Sequence, residues 1–209
     1  MKVLGLTGGV GMGKSACVQL LHARGIPVID TDDLAREIVR PGEPALREIR
    51  SLFGPDVFSS DGHLRRAELA RRVFNDPAAR RQLEAILHPP IRQRWRAQVE
   101  AWRAQGLPVA IVVIPLLFET QAEQELDETI CVACTVATQR ERLTSRGWTP
   151  EEIDQRIQAQ WPAEVKMARA DYVVWTEGDL GVAAEQIDRI LQLSPFSRAA
   201  APDPPLARP

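Results

Sequence analysis

A glycine-rich segment near the N-terminus carries the residue pattern best suited to chemistry. Residues 8–15 read Gly-Gly-Val-Gly-Met-Gly-Lys-Ser and fit the pattern G-x-x-x-x-G-K-[ST]. Glycines allow the backbone to curl so that its N–H groups point at phosphate oxygens, and a following helix presents its N-terminal dipole to the same anion. In this pattern Lys14 reaches the β- and γ-phosphates and the Ser15 hydroxyl binds Mg²⁺. The segment therefore predicts a site for a nucleoside triphosphate.

Two carboxylates follow the second apolar segment, in the run Asp30-Thr31-Asp32. Ligands of parallel sheets bind at the carboxyl edge, where this run and the phosphate loop would lie together. Asp32 is then placed to accept the proton of an acceptor hydroxyl in a phosphoryl transfer. Asp30 has two interpretations: it supports Asp32 or a water of Mg²⁺, or it is the N-cap of the next helix.

A third group of polar residues lies in the C-terminal half of the chain. Gln139, Arg142 and Arg146 are spaced i, i+3 and i+7, which predicts one face of a helix. A mobile helix with two arginines would suit a lid that covers a transferring phosphoryl group. The alternative is a solvated basic face without a ligand.

The phosphate loop alone is compatible with a kinase, a guanine-nucleotide switch or a motor ATPase. A guanine-specific N-K-x-D motif is absent, because the single asparagine, Asn75, is followed by Asp76 and Pro77. A motor ATPase needs an acid directly after a hydrophobic strand, whereas the apolar segment 109–114 runs into Pro-Leu-Leu-Phe before Glu119. The sequence therefore favours a small-molecule kinase.

The elements that must position these residues alternate between strands and helices. A strand over 2–6, a helix over 14–24 and a strand over 26–29 predict a βαβ unit, hence a parallel sheet. Further strands are predicted over 109–114, 129–136 and 172–175. A capping box at Thr149 predicts a helix to Gln160, and an amphipathic helix is predicted over 180–193.

The long interval between the second and third strands shows only helical patterns. One helix is predicted to begin at Pro77 after the N-cap Asp76, and another to follow Pro89-Pro90. Ten arginines and four acids lie between Arg65 and Arg103, a local excess of positive charge that can attract a phosphate-bearing partner. The interval is predicted to be a helical insertion in an α/β core.

Composition excludes several classes of protein. The 209 residues are 44% hydrophobic and 26% charged, which is ordinary for a globular chain and excludes disorder as the main state. No apolar run is long enough for a membrane span, and the net charge of −2 argues against a general nucleic-acid binder. Three cysteines (Cys17, Cys131 and Cys134) favour a reducing, cytoplasmic location. The C-x-x-C at 131–134 falls in a predicted strand and is interpreted as structural.

Taken together, several stretches resemble the dephospho-coenzyme A kinase family from Val3 to about Leu193. The resemblance rests on the following segments: residues 5–15, Val28 to Asp32, Arg66, Val73-Phe74, Leu87-His88-Pro89, Pro115 to Glu119, Gln139 with Arg142 and Arg146, Gln160, and Ala170-Asp171. The phosphate loop is shared by many kinases, but the order of the other segments is more specific.

The resemblance implies an α/β, three-layer P-loop kinase fold with a five-stranded parallel sheet, a helical substrate-binding insertion and a helical lid. Its parts would be a core of residues 1–31, 104–137 and 170–193, an acceptor subdomain of 32–103, a lid of 138–169, and a disordered proline-rich tail of 194–209. The implied reaction moves the ATP γ-phosphate to the ribose 3′-hydroxyl of dephospho-coenzyme A, with Mg²⁺ as cofactor. The implied partners are these two substrates, without nucleic acid, membrane or an obligate protein partner.

The motif and the resemblance assign residues to three roles. The catalytic residues would be Asp32, Lys14 and Arg142, with Ser15 as the metal ligand. The ATP site would comprise Gly8, Gly9, Gly11, Met12, Gly13, Lys14, Ser15, Ala16, Arg142, Arg146 and Thr176. The acceptor site would comprise Asp30, Asp32, Arg66, His88, Leu117 and Glu119.

Three positions depart from the pattern of the family that the chain resembles. Met12 stands where serine is usual, Ala16 where threonine is usual, and Thr176 where asparagine is common near the adenine. Two alternative functions stay open at this point. One is another kinase of the same fold that acts on a nucleotide or a small hydroxy acid, and the other is a nucleotide-binding regulator without catalysis.

Overall fold

The computed structural model describes residues 1–74 and 76–193, which fold around one five-stranded sheet. The predicted tail, residues 194–209, lies outside the described residues. All described strand pairs are parallel, and the strand order is β2-β3-β1-β4-β5. The strands are β1 (Lys2–Gly8), β2 (Val28–Asp30), β3 (Val109–Val113), β4 (Glu128–Ala133) and β5 (Tyr172–Trp175).

Helices cover both faces of the sheet and form the insertion between β2 and β3. None of those in the described part of the chain is long and apolar enough to cross a membrane. The helices are α1 (Lys14–His22), α2 (Thr31–Glu37), α3 (Pro44–Phe53), α4 (Arg66–Phe74), α5 (Pro77–Ala104), α6 (Val136–Thr144), α7 (Pro150–Gln158), α8 (Ala163–Arg169) and α9 (Leu180–Leu193).

Strand β1 lies at the centre of the sheet, between β3 and β4. Leu4 pairs with Ile111 of β3, and Leu6 pairs with Ile130 of β4. Both faces of these strands are apolar, as expected of strands that helices cover on both sides. The central position of β1 places the phosphate loop, which follows it, at the middle of the carboxyl edge.

Two hydrophobic clusters bury the two faces of the sheet. On one face, Leu4 and Val132 pack with α1 and α9 through residues such as Cys17 and Ile187. On the other face, residues of the sheet and of the segment after β3 pack with α2 and α5; the buried members are Val3, Leu34, Trp95, Val99, Val112, Ile114, Leu117, Phe118 and Ala122. The molecule therefore has three layers, and the fold class expected from the resemblance is confirmed.

The insertion has a hydrophobic cluster of its own, and α5 takes part in two clusters. Ile49 and Val57 are fully buried in the insertion, where Ile86 of α5 packs against them. The C-terminal half of the same helix contributes Trp95 and Val99 to the core of the sheet. Helix α5 thus joins the insertion to the sheet.

The prediction of two helices separated at Pro89-Pro90 was wrong, because α5 runs through both prolines. A proline inside a helix removes a backbone hydrogen bond and costs about 3 kcal/mol or more. Apolar contacts on both sides of the prolines, at Leu83 and Ile91 among others, hold the helix together in spite of this cost. Packing has overridden local propensity here.

The end of β4 also differs from the prediction. Strand β4 ends at Ala133, and Val136, which was predicted to be in the strand, is the first residue of α6. Thr135 is the N-cap of this helix, and its side chain accepts a hydrogen bond from Thr138 N. The capping box predicted at Thr149 is confirmed, with reciprocal bonds between Thr149 and Glu152.

Candidate active site

The phosphate loop joins the end of β1 to the start of α1, and its shape requires glycine at two positions. Gly8 (φ 149°) and Gly13 (φ 96°) have backbone angles that other residues rarely adopt. A Cβ atom on Gly8 would lie 2.4 Å from the carbonyl oxygen of Val132, and one on Gly13 would lie 2.7 Å from Thr176 Oγ1. The loop therefore packs so closely on its neighbours that no side chain fits at either position.

The side chain of Lys14 lies within the curve of this loop. Its Nζ donates hydrogen bonds to the carbonyl oxygens of Gly8 (2.7 Å) and Gly9 (3.1 Å). Burial lowers the pKa of the Lys14 ammonium to about 8, a shift that the charge of Asp32 opposes and that of Lys166 increases. A partly desolvated ammonium at this place is suited to binding a multiply charged phosphate.

Ser15 is exposed on the first turn of α1. The described residues contain no group of three or more His, Cys, Asp or Glu side chains that could hold a metal ion. Mg²⁺ bound with a nucleotide takes most of its ligands from phosphate oxygens and water, and needs only one or two protein oxygens. A single exposed hydroxyl beside a phosphate loop therefore fits a magnesium–nucleotide site.

The two predicted carboxylates have different environments. Asp30 is the N-cap of α2, and its Oδ1 accepts a hydrogen bond from Asp32 N at 2.8 Å. Desolvation raises the pKa of the Asp30 carboxyl, and the hydrogen bond from Asp32 N opposes this shift. Asp32 is exposed and close enough to act on the charge of Lys14. Of the two interpretations of Asp30, the N-cap is the one that the structure shows.

A cavity of about 850 Å³ opens beside Asp32, between α2, α5 and the segment that follows β3. His88 lines it from α5, and desolvation lowers the pKa of its imidazole. The lining residues are Thr31, Asp32, Ala35, Glu84, Leu87, His88, Pro89, Ile91, Arg92, Gln93, Trp95, Arg96, Ile114, Pro115, Leu116, Glu119, Thr120 and Ala122. A volume of this size accommodates a ligand of nucleotide size or larger.

Arg142 connects helix α6 to the phosphate loop through Thr176. Arg142 donates from Nη1 to Thr176 Oγ1 (3.0 Å) and from Nη2 to the Thr176 carbonyl (2.6 Å). Thr176 Oγ1 donates in turn to the carbonyl oxygen of Met12 (2.9 Å). Thr176 is thus a buried link between α6 and the loop rather than a free hydroxyl.

Two glutamines hold the tip of the phosphate loop. Gln139 Nε2 donates to the carbonyl oxygen of Val10 at 2.7 Å, and Val10 N donates to Gln160 Oε1 at 2.9 Å. Both polar backbone atoms of Val10 are therefore bound by side chains from the segment predicted to be the lid. The positions of the loop and of this segment are coupled.

Most of the chain, including the residues of this site, matches a known protein family. The family model described as CoaE, dephospho-CoA kinase, matches residues 2–181. The chain belongs to the dephospho-CoA kinase family. It is therefore an ATP-dependent phosphotransferase with an alcohol as acceptor, and the resemblance inferred from the sequence is confirmed.

Individual relatives agree with this family. The dephospho-CoA kinase of Anaeromyxobacter dehalogenans is 48% identical over 192 residues, which cover 91% of each chain. That of Bdellovibrio bacteriovorus is 41% identical over 192 residues, or 92% of this chain and 96% of the relative. The crystal structure of TT1252 from Thermus thermophilus superposes with a TM-score of 0.81 at 35% identity, covering 93% and 98% of the two chains.

Three residues that were predicted for the acceptor site do not line the 850 Å³ cavity: Asp30, Arg66 and Leu117. Arg66 is exposed at the start of α4, donates to the carbonyl oxygen of Arg36 (3.2 Å), and lines a separate cavity of about 320 Å³. Leu117 is fully buried in the core, and its neighbour Leu116 lines the cavity instead. Arg146 is exposed beyond the end of α6, so the prediction that it shares a helical face with Arg142 was wrong.

The departure at position 12 of the phosphate loop concerns a buried side chain. Met12 is buried and packs with Ala133 and Cys134, so it can offer ATP only its backbone.

All three cysteines of the chain are free and buried, and burial raises the pKa of Cys131 to about 11. The interpretation of the C-x-x-C as structural agrees with these environments.

Lys166 is a buried charge that the sequence patterns did not predict. Lys166 on α8 has a side chain that is 0% exposed, and its Nζ pairs with Glu119 Oε1 at 2.8 Å. Helical periodicity gave no sign of this burial, because Lys166 lies in a short segment rich in charged residues. The one available signal was its rarity, as one of three lysines in the chain.

Proposed function

We propose that the protein transfers the γ-phosphate of ATP to the ribose 3′-hydroxyl of dephospho-coenzyme A, with the phosphate loop as donor site and the 850 Å³ cavity as acceptor site. One observation carries this assignment: Asp32 lines the cavity and also acts electrostatically on Lys14 of the loop. A hydroxyl held at Asp32 would therefore lie next to the transferring phosphoryl group.

In this reaction Asp32 accepts the proton of the 3′-hydroxyl as its oxygen forms a bond to the γ-phosphorus. The bond from the γ-phosphorus to the bridging oxygen breaks, and ADP leaves. Lys14 stabilises the charge on the phosphate oxygens, and Asp30 orients the first turn of α2, from which Asp32 projects. Arg142 supports the phosphate loop through Thr176, whose hydroxyl donates to the carbonyl oxygen of Met12.

Ser15 would hold Mg²⁺, which would neutralise phosphate charge in a reaction of this class. The backbone N–H groups of the loop hold the phosphates. On the acceptor side, His88 and Glu119 line the cavity and are candidates for polar contacts with dephospho-coenzyme A. Arg66 remains a candidate for the outer part of this large substrate, from its separate cavity.

The family membership and the acceptor cavity favour this acceptor over smaller ones. Arginines in the insertion, including Arg92 and Arg96 at the cavity, suit an acceptor that carries a pyrophosphate. A small hydroxy acid would leave most of the cavity unused. A regulator without catalysis would have no use for the exposed carboxylate of Asp32.

The test is ADP release from Mg-ATP by the purified protein, with each of several acceptors. We expect release that depends on dephospho-coenzyme A and is absent with nucleoside monophosphates and shikimate. Phosphorylation at the 3′-hydroxyl would be checked by mass spectrometry and by phosphorus NMR of the product. ADP release with another acceptor alone would assign that compound as the substrate. ATP binding without any ADP release would favour a regulator.

A further inference from the structure

The starting observation is a fully buried lysine outside the phosphate loop. Lys166 lies on α8 with a side chain that is 0% exposed. Its Nζ donates to the carbonyl oxygen of Pro115 at 2.8 Å and pairs with Glu119 Oε1 at 2.8 Å. A buried ammonium is costly to maintain even when it is paired, so the arrangement calls for a role beyond stability.

The two carboxylate oxygens of Glu119, the partner of Lys166, have different environments. Glu119 Oε1 is bound by Lys166 and accepts a second hydrogen bond from Trp161 N at 2.9 Å. Glu119 Oε2 is buried and has no hydrogen-bond partner in the part of the chain that the structure describes. Glu119 also lines the 850 Å³ cavity. A buried carboxylate oxygen without a donor is unfavourable, and a donor from a ligand in the cavity would satisfy it.

The second hydrogen bond of Lys166 connects the segment 115–119, which follows β3, to the base of the phosphate loop. The Pro115 carbonyl that accepts from Lys166 also accepts from Thr7 Oγ1 at 3.1 Å. Thr7 directly precedes Gly8, the first residue of the loop. Lys166 therefore fixes the start and the end of the segment 115–119 relative to the donor site.

We propose that Lys166 is a positioning residue that holds Glu119 so that Oε2 accepts a hydrogen bond from a hydroxyl or amino group of the acceptor. The inference rests on the proposed function of the cavity as the acceptor site. Lys166 itself does not line the cavity and acts through Glu119. It does so from the segment that also carries the two glutamines bound to the phosphate loop.

The role predicts a selective effect on the acceptor. In K166M, Glu119 loses the partner that fixes Oε1, and we expect KM for dephospho-coenzyme A to rise about tenfold or more, the scale of a hydrogen bond to a charged group. KM for ATP should stay close to its wild-type value. E119Q should also raise the acceptor KM, because an amide presents either a weaker acceptor or a donor at the position of Oε2.

A double variant separates positioning from an independent effect. If Lys166 acts through Glu119, then K166M/E119Q should have the acceptor KM of E119Q, and the two effects should not multiply. The control on the same helix is E164Q, which also removes a charge. Glu164 is exposed, so this change should leave both KM values unchanged.

Binding measurements test the role of Lys166 even if K166M folds poorly. Calorimetric titration with dephospho-coenzyme A and, separately, with ATP is compared with thermal unfolding of each variant. If K166M does not fold, the double variant K166M/E119Q is measured instead, because it removes both charges of the buried pair. For the double variant we expect weakened binding of dephospho-coenzyme A and unchanged binding of ATP.

Three results would overturn the inference: an unchanged acceptor KM in K166M, multiplied effects in the double variant, or a parallel loss of both substrates that follows the loss of stability. Wild-type protein that binds dephospho-coenzyme A without phosphorylating it would instead contradict the proposed function. In that case the binding comparison between wild type, E119Q and K166M/E119Q still decides the role of Lys166.

Discussion

Arg142 donates two hydrogen bonds to Thr176, one to the hydroxyl oxygen at 3.0 Å and one to the carbonyl oxygen at 2.6 Å. Through the Thr176 hydroxyl this contact reaches Met12, in the phosphate loop. The residue that departs from the expected asparagine is therefore a bridge between α6 and the loop.

Replacing Thr176 with valine should weaken this bridge without changing the size of the side chain. The Met12 carbonyl loses its donor in a buried place, and we expect the free energy of unfolding to fall by about 1–3 kcal/mol. KM for ATP should rise, because Arg142 loses one of its two anchors. Urea unfolding and steady-state kinetics measure both effects. T176S keeps the hydroxyl and should remain close to wild type; equal losses in T176S and T176V would contradict this account.

Removing the amides that hold the tip of the phosphate loop should weaken nucleotide binding. In Q139L and Q160L, one backbone atom of Val10 loses its partner, and we expect the affinity for ATP to fall about 2- to 10-fold in each. Titration calorimetry with ATP provides the measurement. Gln158, exposed on α7, gives the control Q158L, which should bind ATP as the wild type does. Unchanged affinity in Q139L and Q160L would mean that the loop keeps its shape unaided.

Replacing Asp32 with asparagine should remove the proton acceptor and leave the ATP site intact. Turnover should fall by about 10²-fold or more, the scale of general-base catalysis, while the affinity for ATP stays nearly unchanged. The neighbouring Asp33 is exposed and bonded to Arg36 at 2.6 Å, so D33N is a control that alters the same turn. Equal turnover in D32N and D33N would show that Asp32 is not the proton acceptor.

The pKa of Lys14 predicts opposite pH trends for stability and for ATP binding. Because the native pKa is about 8 and the ordinary value is 10.5, the native state holds this proton less tightly than the unfolded chain. Between these pH values the unfolded chain binds more protons, so the contribution of Lys14 to stability rises with pH. Over the same window the lysine loses its charge, and kcat/KM for ATP should fall.

Two variants check the assignment of this pH trend to Lys14. K14R carries a charge that does not titrate in this range, so its kcat/KM for ATP, although lower overall, should lose the decline above pH 8. K14M has no charge at any pH and should lose the stability trend. A decline that persists in K14R would assign the titration to another group.

The buried thiols should resist alkylation until the protein unfolds. Cys17, Cys131 and Cys134 are all buried, and burial raises the pKa of Cys17 and of Cys131 to about 11. At pH 8 we expect iodoacetamide to leave the native protein unmodified and to label three thiols in urea, as read by intact mass. Labelling of native protein at Cys131 would show that the core beneath the phosphate loop opens.

Local patterns were sufficient for the residues whose role depends on the backbone around them. The run from Gly8 to Ser15 defines its own shape through glycine, and the strand-helix-strand order fixes the edge of the sheet where Asp32 lies. The N-cap at Asp30 and the capping box at Thr149 are local as well. Such features depend on neighbours in the chain and can be read from it directly.

Other features depend on contacts between distant segments and could not be read in this way. The continuity of α5 through Pro89 reflects packing on two clusters, which no local rule supplies. The burial of Lys166 follows from the meeting of α8 with the segment after β3. The hydrogen bond between Thr176 and Met12 joins positions 164 residues apart. Long-range geometry decided each of these.

Helix α5 has a further consequence, for the cooperativity of folding. Its N-terminal half completes the core of the insertion and its C-terminal half completes one face of the sheet, within a single 28-residue element. Loss of order in either core would expose apolar surface along the same helix. The insertion and the sheet should therefore melt in one calorimetric transition, although each has its own hydrophobic centre.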